Sequence, residues 1–234
     1  MTLADFHARF GASCRKKYLV VLPSTVGGWV GFAARLLVGR LRTDKRFYAL
    51  PTRTALPPEF IRLDPWEAEY LFLVASLARK GIVEIGRHNG GSTFLLACAN
   101  SEVPIWSIDI APQDDDRLRR LLAEHGVGSN VDLIVGDSQR GEFPEIGAYD
   151  LLFVDGDHSY EGCMADLEKH FPGLEPGGHL VLHDCYAGLA VQPAVFDFVA
   201  RRDVTVVRSP YIIASHWHTS YGSMAHFRKG QPPG

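Results

Sequence analysis

From residue 63 onward, apolar and polar positions come in blocks. Short continuous apolar runs are separated by longer segments with helical periodicity, the pattern of strands buried on both faces and covered by helices. Ile82–Glu84, Val103–Asp109, Val131–Gly136, Tyr149–Asp155 and Gly178–His183 read as buried strands, Glu84 at the tip of the first. Helices are predicted over Trp66–Lys80, Ser92–Ala99, Asp114–His125, Ser159–Phe171 and Ala194–Arg202. Their ends carry the expected signals: Asp64, Pro65 and Glu67 resemble a capping box with proline at the first helical position, and Ser159 is a cap. Gly81 and Gly126 close two helices and Pro193 opens the last. Val204–Arg208 and Ser223–Lys229 read as strands with no helix between them, which predicts an antiparallel pair at one edge. The expected fold class is α/β, a doubly wound seven-stranded sheet, mostly parallel with an antiparallel edge strand. Ala49–Pro58 reads as a proline-rich linker, so residues 1–60 form an extension and 61–234 one domain.

Each of the five runs places a polar group at its carboxyl end, where open α/β sheets bind ligands. The first leads through Glu84 into a turn containing Gly86, Gly90 and Ser92. Glycine there lets a ligand lie against bare backbone. An acid before the first glycine suits a cationic or hydroxyl-bearing ligand better than a pyrophosphate. This points to S-adenosylmethionine (SAM), with its amino group and sulfonium. Asp109, 25 positions after Glu84, is placed to accept both ribose hydroxyls, and Asp137-Ser138 to meet the adenine.

The segment from about Leu63 to Lys229 resembles the class I SAM-dependent methyltransferases. Within them it is most similar to O-methyltransferases related to the macrocin and cephalosporin-biosynthesis enzymes. The resemblance rests on Glu84-Ile-Gly86-x-x-x-Gly90-x-Ser92, Asp109, Gly136-Asp137-Ser138, Asp155-Gly-Asp-His-Ser-Tyr-Glu161 and Pro176-Gly-Gly-His-Leu-Val-Leu-His-Asp184. It implies a Rossmann-like sheet, SAM as cofactor, and methyl transfer to a hydroxyl of a small-molecule, sugar or lipid-linked acceptor. In metal-dependent members, the acid ending strand four and two side chains after strand five bind Mg²⁺; here these are Asp155, His183 and Asp184. His183 stands where an acid is usual, so the site would hold Mg²⁺ through Asp155 and Asp184, or another divalent cation through all three.

Methyl transfer from a sulfonium is an in-line displacement in which the acceptor must be positioned and deprotonated. The candidate catalytic residues are Asp155, His158 and His183, with His158 the side chain best matched to a general base. His88 is expected to line the cofactor pocket, and the pair His216 and His218 to line the acceptor pocket or the surface. Two rival readings are transfer to nitrogen and a non-catalytic SAM-fold module docking on a membrane or partner.

Charge adds one feature that the strand pattern does not show. Residues 1–53 hold ten Lys/Arg against two acids, leaving −11 for the rest of a chain whose net charge is −3. This basic arm is expected to cover the site, join a homodimer or make a peripheral membrane contact. Tyr18–Val38 is apolar but is interrupted by Pro23, Gly27, Gly28 and Arg35, which argues against a span. The acidic core argues against nucleic acid as partner. Cys14, Cys98, Cys163 and Cys185 show no paired spacing, so neither zinc nor disulfides are expected, and a reducing cytoplasmic setting is the default.

Overall fold

A computed structural model describes residues 60–63, 65–141, 143, 146–185, 189–208 and 224–231. The basic arm, Asp64, His216, His218 and Ser223 lie outside them. The chain runs α1 (Pro65–Ala75), β1 (Ile82–Ile85), α2 (Gly91–Ala99), β2 (Ile105–Asp109), α3 (Asp115–Glu124), β3 (Val131–Val135) and β4 (Tyr149–Val154). It continues through α4 (Tyr160–His170), a short 3₁₀ turn, β5 (Leu174–Leu182), α5 (Val191–Val199), β6 (Val204–Arg208) and β7 (Ala225–Lys229).

The strands form one sheet in the order β3-β2-β1-β4-β5-β7-β6. Neighbours from β3 through β5 pair in parallel, and β7 is antiparallel to both β5 and β6. The antiparallel strand is therefore inserted one place in from the edge, and β6 takes the edge itself. The chain reverses its lateral direction between β1 and β4, where such sheets open a ligand crevice at the carboxyl ends.

Burial on both faces follows from the unbroken apolar strands. Val83 and Ile85 join a core that includes Leu167 of α4 and Phe198 of α5. Ile82 joins an opposite core with Phe72 of α1, Phe94 and Leu95 of α2 and Leu118 of α3. Alternation along β1 turns Glu84 to the second face with Ile82, and its side chain is buried. Cys163 is buried and Cys98 partly buried; with Cys185 they are free thiols, and burial pushes the first two up to about 12.

Two helix boundaries differ from expectation for identifiable reasons. α1 ends at Ala75, well before Gly81. The backbone N–H groups of Arg79, Lys80 and Gly81 donate to the Asp150 carboxylate of β4, and Asn100 Nδ2 donates to the carbonyls of Ala75 and Ala78. These distant side chains take over the groups that a longer helix would have used. α5 starts at Val191, before Pro193; proline is tolerated in a first turn because N–H groups there have no intrahelical acceptor. Ser159 caps its helix as read, accepting from Gly162 N–H, while Asp114, expected as the first helical residue, is instead a cap that accepts from Arg117 N–H. Among the described residues no helix is long and apolar enough to cross a membrane.

Candidate functional site

A cleft of about 640 Å³ opens over the carboxyl ends of β1, β2, β4 and β5. Gly86, Ser92, Asp109, Asp137, Ser138, Asp155, His158, His183 and Asp184 line it, as do His88 and Asp157. Of the candidate site residues, Glu84 and Gly90 lie behind this surface.

The glycine turn fits the sheet only without side chains. Gly86 has φ 83°, and a Cβ on it would run into the carbonyl oxygen of Asp155 on the neighbouring strand. Gly90 has φ 85° and precedes α2 with no side-chain cap. Beneath the turn, Glu84 Oε2 accepts from Thr93 Oγ1 at 2.5 Å and Ser107 Oγ at 2.6 Å, while its Oε1 has no protein partner. Burial raises its pKa against the pull of those hydroxyls.

Asp109, at the tip of β2, is braced by the turn. Its Oδ2 accepts from the N–H groups of Arg87 and His88, both at 2.8 Å, and its Oδ1 from Ala111 N–H at 2.7 Å. Arg87, which lines the cleft wall, is turned away from any ligand. Its guanidinium is bound to Asp115 at 2.8 and 2.7 Å and to the carbonyls of Ser107 and Ile134, clamping β2, β3 and α3 together. On the far side, Asp137 Oδ1 accepts from Gln139 N–H at 2.9 Å, and Ser138 Oγ donates to the buried Asp166 at 2.6 Å. His170 Nε2 lies 3.0 Å from the Ser138 carbonyl, so α4 fixes the loop expected to meet adenine.

The acidic pole is built from β4, β5 and α1. His158 Nε2 lies 3.2 Å from Asp184 Oδ2 and 3.6 Å from Asp155 Oδ1. His183 Nδ1 lies 3.1 Å from Asp155 Oδ1 and 3.3 Å from Asp184 Oδ2, and its Nε2 is 3.2 Å from Glu67 Oε2. Both ring nitrogens of His183 thus face carboxylate oxygens, which accept only; both must carry hydrogen, giving an imidazolium. Burial works to lower the His183 pKa, but Asp155, Asp184 and Glu67 together hold it well above the ordinary histidine range. Burial likewise works to raise Asp155, and the two histidines outweigh it and keep the carboxyl low. The hydrogen bond to Asp155 raises His158 above its ordinary value against partial burial. Asp184 has φ 52° and His88 φ 47°, left-handed backbone that L-residues adopt at a cost of about 1–3 kcal/mol and that clusters at functional sites.

Asp155, His158 and Asp184 bring one ligand atom each within 4.8 Å of one another, a geometry able to hold a cation. His183, expected beside Asp155 and Asp184, has both ring nitrogens turned to carboxylates. Glu67, expected to close a capping box, sends its carboxylate to His183, and no local sequence signal marks that contact. The bare backbone at Gly86, with the buried Glu84 carboxylate behind it, suits a ligand with a cationic amino group lying against the turn.

Residues 83–185 match a family model described as a methyltransferase domain. An uncharacterized protein of Acanthamoeba polyphaga mimivirus is 31% identical over 110 residues, covering 44% of this chain and 50% of that protein. The chain thus spans about half the length of the curated relative it matches. A cofactor-bound protein from MTB superposes with a TM-score of 0.58 at 20% identity, over 90% of this chain and 100% of that one. The O-methyltransferase TomG of Streptomyces achromogenes, solved with SAM, gives 0.55 at 22% identity, over 74% of this chain and 82% of its own. An rRNA methylase from Streptococcus thermophilus gives 0.53 at 18% identity, over 73% and 99%. These likenesses show the Rossmann-like fold shared by SAM-dependent methyltransferases; they do not distinguish among acceptors.

Proposed function

We propose that the chain is a SAM-dependent O-methyltransferase acting on a hydroxyl of a small-molecule, sugar or lipid-linked acceptor, a reading supported by the match of residues 83–185 to a methyltransferase-domain model. The observation that carries this reading is the placement of His158, Asp155 and Asp184 in the cleft that also holds the glycine turn and Asp109. Gly86, Gly90 and Ser92 shape the side that takes the methionine part of SAM, with Glu84 below it toward the amino group. Asp109 receives the ribose, and Asp137 and Ser138 the adenine.

His158 is the group that takes the acceptor's proton. With Nε2–H directed at Asp184 Oδ2, 3.2 Å away, its neutral tautomer leaves the Nδ1 lone pair free. The hydroxyl oxygen attacks the sulfonium methyl, the carbon–sulfur bond breaks as the carbon–oxygen bond forms, the proton goes to His158, and S-adenosylhomocysteine is left. His183, held as an imidazolium, fixes Asp155 and Asp184 and so sets the orientation of His158.

The convergence of Asp155, His158 and Asp184 supports a second reading of the same pole as a cation site. Two carboxylates and one imidazole fit Mn²⁺, Fe²⁺ or Zn²⁺ better than Mg²⁺, which prefers oxygen donors. A bound cation would lower the pKa of a hydroxyl that ligates it. Transfer of labelled methyl from SAM to a panel of hydroxyl and amine acceptors, with chelator and with added Mn²⁺ or Mg²⁺, tests both readings. Hydroxyl products lost in His158→Ala support the proposal; products on amines alone overturn it. Inhibition by chelator, reversed by metal, assigns the cation. Homodimerisation, membrane contact and a site-covering role remain proposals for the arm at residues 1–53.

A further inference from the structure

We infer that Arg62 anchors the α-carboxylate of the cofactor's amino-acid end and so makes the cleft selective for the complete methionine part of SAM. This rests on the SAM reading and adds a residue that precedes the matched segment at 83–185. SAM carries a single anionic group, and an anion brought into a cleft needs a cation or several N–H donors there. The cationic side chains that line the cleft can be sorted by what already occupies them. Arg87 is bound to Asp115 and two carbonyls. His158 and His183 belong to the acidic pole. Arg140 follows Asp137 and Ser138, at the end assigned to adenine. Arg62 is left: among the described residues no carboxylate pairs with it, although several acids line the same cleft.

Its position matches the expected place of the amino-acid end. Arg62 Nη1 lies 3.2 Å from His88 Nε2, which sets the guanidinium beside the glycine turn. The preceding backbone is fixed to the start of α2. A Cβ on Gly91 would run into the Phe60 carbonyl, and the Phe60 ring packs edge-on against Phe94, centroids 6.1 Å apart. The segment carrying Arg62 is thereby tied to the same helix whose first residues, Gly91 and Ser92, line the cleft.

Calorimetric titration of the full chain with three probes tests this: S-adenosylhomocysteine, its decarboxylated analogue, which keeps the amine, and 5′-methylthioadenosine, which lacks both groups. Arg62→Ala should weaken S-adenosylhomocysteine about tenfold or more and leave the other two unchanged, with Arg62→Lys intermediate. Arg62 is exposed, and an unchanged thermal transition in the variant would show that the fold is intact. Equal losses for all three probes, or no loss for any, would overturn the inference while leaving the SAM reading standing. A wild-type chain that binds none of the probes overturns both.

Discussion

Glu67 and His183 meet at 3.2 Å between α1 and the end of β5, 116 residues apart in sequence. Glu67 is 3% exposed. The pair ties the helix that precedes the sheet to the acidic pole of the cleft, and it supplies His183 with the carboxylate that fixes its second nitrogen. Removing one partner of a buried ion pair leaves the other charge uncompensated. Glu67→Ala is therefore expected to lose about 3 kcal/mol of stability in urea denaturation, and Glu67→Gln, which keeps an acceptor, distinctly less. Equal stability of Glu67→Ala and wild type would contradict the pairing.

Gly86→Ala puts a Cβ against the Asp155 carbonyl at a positive φ, where alanine is strained. Neither backbone can yield without shifting β1 against β4. A loss of at least about 2 kcal/mol is expected, together with loss of cofactor binding in whatever fraction remains folded. Thermal unfolding and S-adenosylhomocysteine titration check the two effects separately.

Asp166 gives the fold a pH dependence of defined sign. Burial raises its carboxyl from the ordinary 3.8 to about 6. The folded chain holds this proton over a range in which the unfolded chain has released it. Its contribution therefore falls as pH rises from about 4 to about 6 and is constant above. Asp166→Asn should remove that slope and gain up to about 3 kcal/mol at pH 7. Urea midpoints across that pH range measure it, and an unchanged slope in the variant would assign the dependence elsewhere.

The raised His158 predicts a pH limb in catalysis. A base acts only when deprotonated, and Asp155 keeps His158 protonated to a higher pH than an ordinary imidazole. With an acceptor in hand, kcat/KM should fall as pH drops through a value above about 6.5. His158→Ala should abolish that limb along with most of the rate. A limb that persists in the variant would place the base elsewhere.

Much of the cleft was legible because each strand run stops on a polar side chain, and the two-residue alternation of a buried strand fixes which way that side chain turns. The cap at Ser159 was legible because a cap bonds within its own first turn. The end of α1 was not, since the groups that stop it come from Asp150 and Asn100. Arg87 shows the same limit: nothing in the glycine-rich turn marks it as structural, and its clamp on Asp115, 28 residues on, leaves it 2% exposed. The contact of Glu67 with the far nitrogen of His183 is equally distant in sequence and was not legible either.

The most direct test of the account is calorimetric titration of the purified chain with S-adenosylhomocysteine, for wild type and for Asp109→Ala. Asp109 accepts from three backbone N–H groups of the loops around the ribose position. The account predicts micromolar binding by the wild type and a loss of about tenfold or more in the variant, where buried hydroxyls would have lost their acceptor. Equal affinity in the two would contradict the ribose assignment. No binding by the wild type would contradict the methyltransferase reading itself.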